Sequence, residues 1–363
     1  MNLQESLAKW RQDVPIFDGL GVSLPDVRAY IPDGWKQDFR LAMDAQPALS
    51  TDPNSASPAF LTTLIDPAVF KILFTPNKAA AIYGEQRKGT WLDTTAMFPV
   101  VEHTGEVSSY GDYNDNGRAG ANTNWPQRQS YLFQTIKEYG DKEMNTAGLA
   151  RISWTSEIDA AAATVLNKFQ NLTYFFGVSG LQNYGFLNDP NLSASLTPAT
   201  KSAGGTRWIS TAGVVVATAN EIFTDIQSIF SQLISQTGGL VEQTDKLVLA
   251  MSPGTEVALT QTNTFNVNVS DLLKKNFPNM RIETAVQYGA LSTTNPQGLA
   301  GGNLVQMFVE SIESQPLGYT AFNEKMRSFP VIRAMSSYRQ KVIGGTWGGV
   351  LRMPLAIASL IGV

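Results

Sequence analysis

Residues Val100–Ile136 read VVEHTGEVSSYGDYNDNGRAGANTNWPQRQSYLFQTI, and how this stretch folds decides the rest of the chain. One end carries Val100 and Val101. At the other, Tyr131, Phe133 and Thr135 alternate with Leu132, Gln134 and Ile136. Between them Asp112–Trp125 holds Gly117, Gly120 and four asparagines. Two strand-like arms around a Gly/Asn tip predict a long β-hairpin with a wide tip. Such a loop adds little to its own core but can reach a neighbouring subunit. Its tip offers Asp112, Asp115, Arg118, Trp125 and Arg128 as contact residues. A helix pattern follows in SEIDAAAATVLNKFQNLTYFF, Ser156–Phe176. Ile158, Ala162, Val165, Leu166, Phe169, Leu172 and Phe176 recur at helical steps, which predicts a helix over 155–177. Ile158, Val165, Phe169 and Leu172 are its expected core contacts. Ser156 is the expected cap, with Asp159 as a capping-box partner, and Gly177 and Gly180 end the helix.

The chain has 363 residues, room for two or three domains. Hydrophobic residues make up 43%, including 18 Phe and 7 Trp, enough for a packed core. Only 16% are charged, below the quarter or so usual in globular chains, so the surface is built largely of Ser, Thr, Asn, Gln and Gly. Neutral surfaces of this kind suit extensive subunit contacts and also occur on monomers. The net charge of -4 and the lack of a basic stripe argue against sequence-specific nucleic-acid binding. With no cysteine there are no disulfides or thiolate metal sites. Met1–Arg11 lacks the apolar core of a secretory signal. No apolar run approaches the roughly 20 residues that cross a bilayer, so no membrane partner is expected.

Residues 1–60 hold prolines at 15, 25, 32, 47, 53 and 58, which break long elements and leave an extended arm. The aromatics on that arm, Trp10, Phe17 and Trp35 among them, pack either on another surface or back on their own core. Residues 66–84 predict a helix with Val69, Ile72, Leu73 and Tyr83 on its buried side. Residues 190–217 are rich in Ser, Thr, Ala and Gly and read as a surface excursion. A second helix is expected over 220–236, with Ile222, Ile226, Ile229, Phe230 and Leu233 inward, and another over 269–277 capped by Ser270. Strands are expected at 247–251, 281–285 and 304–312. The stretches 331–345 and 350–361 are strand-rich and joined by GGTWGG, whose glycine pairs read as tight turns. The fold class is α+β.

Catalytic patterns are sparse. His103 is the single histidine; it reads as structural, or as the base of a hydrolase whose nucleophile no G-x-S-x-G elbow marks. Asp112–Gly117 suggests a calcium loop but lacks the closing glutamate at position twelve, where Thr123 stands. A solvated turn is the better reading. No metal or cofactor is expected.

The order of elements, together with Leu181–Pro190 (LQNYGFLNDP) and Phe322–Val363 (FNEKMRSFPVIRAMSSYRQKVIGGTWGGVLRMPLAIASLIGV), resembles the major capsid proteins of tailed bacteriophages with the Hong Kong 97-type (Johnson) fold. The resemblance runs from about residue 60 to the end. It implies an N-terminal arm over 1–60 and an extended E-loop over 100–140. A peripheral P-domain would cover 61–99 and 141–239, with its spine helix at 155–177. An axial A-domain would cover 240–330, and terminal strands 331–363 would return to the P-domain. It implies a structural virion protein, not an enzyme, that self-assembles through hexamers and pentamers into an icosahedral shell around double-stranded DNA. Assembly would take place in the host bacterial cytoplasm, with scaffold, portal or decoration proteins as further partners. An encapsulin-type compartment is the alternative within the fold. Some members cross-link subunits through an E-loop lysine; here no lysine lies between Lys88 and Lys137.

Overall fold

The computed structural model describes residues 77–149 and 153–363, together with Lys9. Apart from Lys9, the described elements belong to one unit, Ile72–Val363. It opens with a short helix α1 (Ala79–Tyr83) and strands β1 (Glu85–Arg87), β2 (Thr95–Met97), β3 (Val100–Gly105), β4 (Ala119–Asn124), β5 (Gln127–Gln129) and β6 (Tyr131–Gly140). Helices α2 (Asp141–Leu149), α3 (Trp154–Phe176) and α4 (Ala219–Gln236) follow. Then come β7 (Leu247–Met251), α5 (Pro253–Glu256), α6 (Val269–Asn276), β8 (Arg281–Thr284) and β9 (Leu304–Val309). The chain ends with β10 (Ser311–Ile312), β11 (Gln315–Pro316), β12 (Gly318–Ser328), β13 (Ile332–Arg333), β14 (Ser337–Leu351) and β15 (Ile357–Ile361).

Two sheets organise these elements. In the first, β14 is antiparallel to β6 along one edge and to β12 and β13, while β1 adds in parallel to β12. In the second the order is β15-β9-β7-β8. Every residue of β7 and β9 is buried, the signature of a strand covered on both faces. Alternation sorts them: Leu247, Leu249 and Met251 meet Ile222, Ile226, Ile229 and Leu233 of α4, while Val248 and Ala250 face Tyr83, Phe175, Phe186 and Phe308. Tyr83 stacks on Phe186 with ring centroids 3.6 Å apart. The Tyr83 and Tyr288 hydroxyls meet each other and both reach Gln306 Oε1, at 2.7 and 2.8 Å. Burial pushes both phenols well above their ordinary pKa of 10.0, so this internal knot stays neutral.

α3 ends as expected, at Gly177 with φ 64°, whose amide bonds the Thr173 carbonyl. Its start and its face differ. The cap is Ser153, whose hydroxyl meets Ser156 Oγ at 2.9 Å, one turn before the expected cap. The buried stripe is Ala162, Leu166, Gln170 and Thr173; Val165 is 57% exposed, and Ile158, Phe169 and Leu172 are half-buried. Ala162 and Leu166 are buried as expected, and the buried face extends from them onto the polar side, to Gln170, Asn171 and Thr173. The cause is that this side of α3 finds polar partners in α3 itself, in α1 and in β14. Gln170 donates to Tyr174 Oη at 2.6 Å, Asn171 Oδ1 accepts from the Ala79 amide at 3.0 Å, and Thr173 donates to Thr346 at 3.1 Å. An apolar count finds Ala162 and Leu166 but not the polar part of that stripe. Phe169 still packs on Phe133 and Tyr131 of β6.

Other expectations need correction. β6 is not the second arm of the hairpin: it pairs along its whole length with β14, and β4 with β5 supplies the arm. The GGTWGG run is no turn. β14 passes straight through it, and Trp347 is buried with Nε1 bonding the Lys88 carbonyl at 2.9 Å. β15 lies beside β9 rather than with β14, and β12 lies beside β14 although its residues fall inside the stretch 240–330. Residues 190–217 are not simply a surface excursion: Trp208 is fully buried and, with buried Lys201, bonds Asp225 of α4. Asn268, not Ser270, caps α6. α4 carries a full capping box, Thr218 with Glu221. The hydrogen bond from the Thr218 backbone holds the Glu221 carboxyl down at about 2. Of the helix expected over 66–84, only Ala79–Tyr83 falls among the described residues.

Candidate functional site

The hairpin is bare on both faces. β3 and β4 pair from Val100↔Asn124 to Gly105↔Ala119, and all twelve of their residues are exposed. A two-stranded ribbon open on both faces has little stability of its own in water. The tip, residues 106–118, is nevertheless shaped by its own short-range bonds. Tyr110 Oη donates to Asp112 at 2.9 Å, Asn114 Nδ2 to the Ser109 carbonyl at 2.6 Å, and Ser108 Oγ to the Asn116 carbonyl at 2.7 Å.

Asp112, Asp115 and Arg118 stand exposed on this tip, as expected from the sequence, and Trp125 is 55% exposed at the joint between β4 and β5. Sequence reasoning missed the apolar part. Val107, Tyr110 and Tyr113 are 101%, 93% and 102% exposed, an apolar display on a loop that reads as merely polar. Two tyrosines within a Gly/Asn run were the available signal. Trp10, Phe17 and Trp35 lie outside the described residues.

Arg128 does not belong to the tip. It is buried, pairs with Asp189 at 2.6 Å, and its guanidinium lies 4.9 Å from the centre of the Tyr184 ring. This is the first tie of an anchor that bolts the hairpin base to the turn after α3. The Gln129 amide bonds the Gln182 carbonyl at 2.9 Å. Asn183 Nδ2 donates to the Gln129 carbonyl at 2.9 Å and to the Thr346 carbonyl at 3.2 Å. The Gly349 amide bonds the Tyr184 carbonyl at 2.8 Å. Asn188 closes the turn, accepting from the Gly185 amide at 2.7 Å and donating to the Phe176 carbonyl at 2.5 Å. The glycines make this approach possible. A Cβ at Gly185 would collide with the Phe175 carbonyl, and one at Gly348 (φ 75°) with the Tyr184 carbonyl. LQNYGFLNDP and the GGTWGG part of Phe322–Val363, the two stretches that carry the resemblance, therefore meet in one packed junction.

The described residues hold little for chemistry. His103 stands exposed on β3 opposite Ala121. Among the described residues no group of three or more His, Asp or Glu could hold a metal ion, and no helix is long and apolar enough to cross a membrane.

The chain matches the model of a protein family described as the Pa193 gp26 major capsid protein, over residues 48–362. No curated protein matches it. Among solved structures it is similar to the capsid of Myoviridae phage XM1, with TM-score 0.63 and 13% identity over 85% of this chain and 99% of that one. It is similar to the capsid of an empty GTA particle, with TM-score 0.53 and 11% identity over 85% and 99%. A structure of Gordonia phage Cozz gives TM-score 0.53 and 9% identity over 87% and 97%.

Proposed function

The chain belongs to the Pa193 gp26 major capsid protein family, and on that premise we propose that its exposed hairpin is the element that joins one subunit to the next. The protein is a tailed-phage major capsid protein with the Hong Kong 97-type fold, a structural component of the virion capsid that forms a multimeric shell. Its family and fold are those of a structural protein rather than an enzyme. The matching family and the capsid structures above favour a phage shell over an encapsulin-type compartment.

The finer reading is ours. β2–β5 and the tip act as the E-loop. α3 with the β14 sheet is the peripheral domain, and the β7–β9 sheet with α4 and α6 is the axial domain. Hexamers and pentamers of this unit close an icosahedral shell around double-stranded DNA, assembled in the host bacterial cytoplasm. Scaffold, portal or decoration proteins are further partners. DNA is held by proximity and not by sequence, since the chain is mildly acidic and a strongly basic wall would grip the packaged polymer.

One observation carries the proposal: a ribbon exposed on both faces, tipped by the bare side chains of Val107, Tyr110 and Tyr113. Gly105 and Ala119 form the last rung, so residues 106–118 can be replaced by a two-residue Gly-Gly turn without disturbing the ribbon. The expected product is a folded subunit by circular dichroism that gives no particles by negative-stain microscopy. Normal particles from this variant would overturn the proposal.

A further inference from the structure

The tip contains the chain's single Asn-Gly pair, Asn116-Gly117, and its surroundings are those of a reactive site. We propose that in the unassembled subunit Asn116 converts spontaneously to aspartate and isoaspartate, promoted by the Ser108 hydroxyl, and that seating the tip on a second copy of this chain suppresses the conversion. The suppression rests on the proposed role of the hairpin; the conversion does not.

The reaction needs three things of the protein. The electrophile, the Asn116 side-chain amide, must be free to swing onto the next backbone nitrogen. Asn116 is exposed and its side chain makes no hydrogen bond among those described; its backbone bonds Asn114 Oδ1 and Ser108 Oγ instead. The nucleophile, the Gly117 nitrogen, must be unencumbered. It donates no described hydrogen bond, and the residue has no Cβ to crowd the approach, at φ 89°. That nitrogen must also lose its proton. Here the third feature acts: Ser108 Oγ donates at 2.7 Å to the Asn116 carbonyl, the other end of the same peptide unit. When the Gly117 nitrogen deprotonates, its charge delocalises onto that carbonyl oxygen. A hydroxyl donating to it stabilises the anion more than the neutral amide.

The proton leaves to hydroxide. The Gly117 nitrogen then bonds to Asn116 Cγ, the Cγ–Nδ2 bond breaks, and nitrogen departs as ammonia, taking a proton from water. Water opens the resulting five-membered imide at either carbonyl. The sum is asparagine plus water giving aspartate or isoaspartate plus ammonia. A new carboxylate then stands between Asp115 and Arg118 on the contact surface. Asn114 is the internal control. It is equally exposed, but its amide is already engaged, through Nδ2 to the Ser109 carbonyl and Oδ1 to the Asn116 amide. Ser108 touches the reacting peptide unit through this hydrogen bond and forms no covalent bond to it.

The test is peptide mapping by mass spectrometry of purified subunits, with isoaspartate detection, at pH 6 and pH 8. Asn116 should convert faster than Asn114, and faster at pH 8. Ser108→Ala should slow Asn116 about two- to tenfold, what one hydrogen bond of this kind changes, while Gly117→Ala should slow it further. If Ser108 only stiffened the tip, its removal would speed both asparagines; acceleration of Asn116 in Ser108→Ala, or equal rates at the two asparagines, overturns the proposed chemistry. Assembled particles form the second arm. Asn116 should be protected there relative to free subunits. Equal rates in particles and subunits, with the Ser108 effect intact, overturn the docking of the tip and leave the conversion standing.

Discussion

Strands β3 and β4 pair over six residues with every side chain exposed, whereas β14 runs for fifteen residues and is buried without a break from Val342 to Val350. The bonds differ in the same way. Those that shape the tip join residues at most twelve positions apart. Those that hold the junction join positions far apart, such as Asn183 to Thr346 and Arg128 to Asp189. The tip can therefore keep its shape wherever it is placed, and the junction decides where that is. Damage to the first should spoil assembly and leave the subunit folded; damage to the second should unfold the subunit.

The strongest way to break this contrast is with two arginines. Arg128→Ala leaves the buried Asp189 carboxylate without its counter-ion, held only by Asn191, and should lower subunit stability by about 3–5 kcal/mol in urea denaturation. Arg118→Ala, on the tip, should stay within about 0.5 kcal/mol. Comparable losses would mean that the tip also holds the fold. A second pair sharpens the orientation of α3 on the β14 sheet. Leu166→Ala should cost about 2–5 kcal/mol, as for other buried leucines. Val165→Ala, next to it and exposed, should cost no more than about 0.5 kcal/mol. A reversed order would mean that Val165 and not Leu166 faces the sheet. Thr218→Ala removes the α4 cap that underpins the buried second sheet and should cost about 1 kcal/mol. The smallest effect is a pH dependence. Glu221 sits at about 2 in the folded chain against an ordinary 4.5. Its contribution is complete above the unfolded value and is lost as pH falls through the folded one. Melting temperature should thus fall across that window by a component absent from Glu221→Gln; identical profiles would remove the cap's electrostatic role.

Much of this architecture was legible because periodicity reports burial. α4 shows its face through Ile222, Ile226, Ile229 and Leu233, and all four are buried where the period puts them. The all-apolar runs of β7 and β9 likewise read as covered strands. Legibility failed where burial is polar or where glycine serves packing. Gln170, Asn171 and Thr173 carry no hydrophobic signal, so the face of α3 was misread through Val165. Gly344, Gly345, Gly348 and Gly349 look like turns in sequence; in the fold they leave room for Phe133, Asn323, Tyr184 and Phe186. In the hairpin, the exposure of Asp112, Asp115 and Arg118 was legible from composition. Arg128 was not, because its partner Asp189 lies 61 positions away.

Ser130 alone separates the outgoing arm, β5, from β6, and β6 is hydrogen-bonded to β14 from Tyr131↔Thr346 to Gly140↔Ser337. On the proposed role of the hairpin, a neighbour pulling on it would load that seam lengthwise. The bonds along it share the force at once instead of parting one after another. On that proposed role, internal pressure in a filled shell would meet its resistance in this shear geometry and not in the tip.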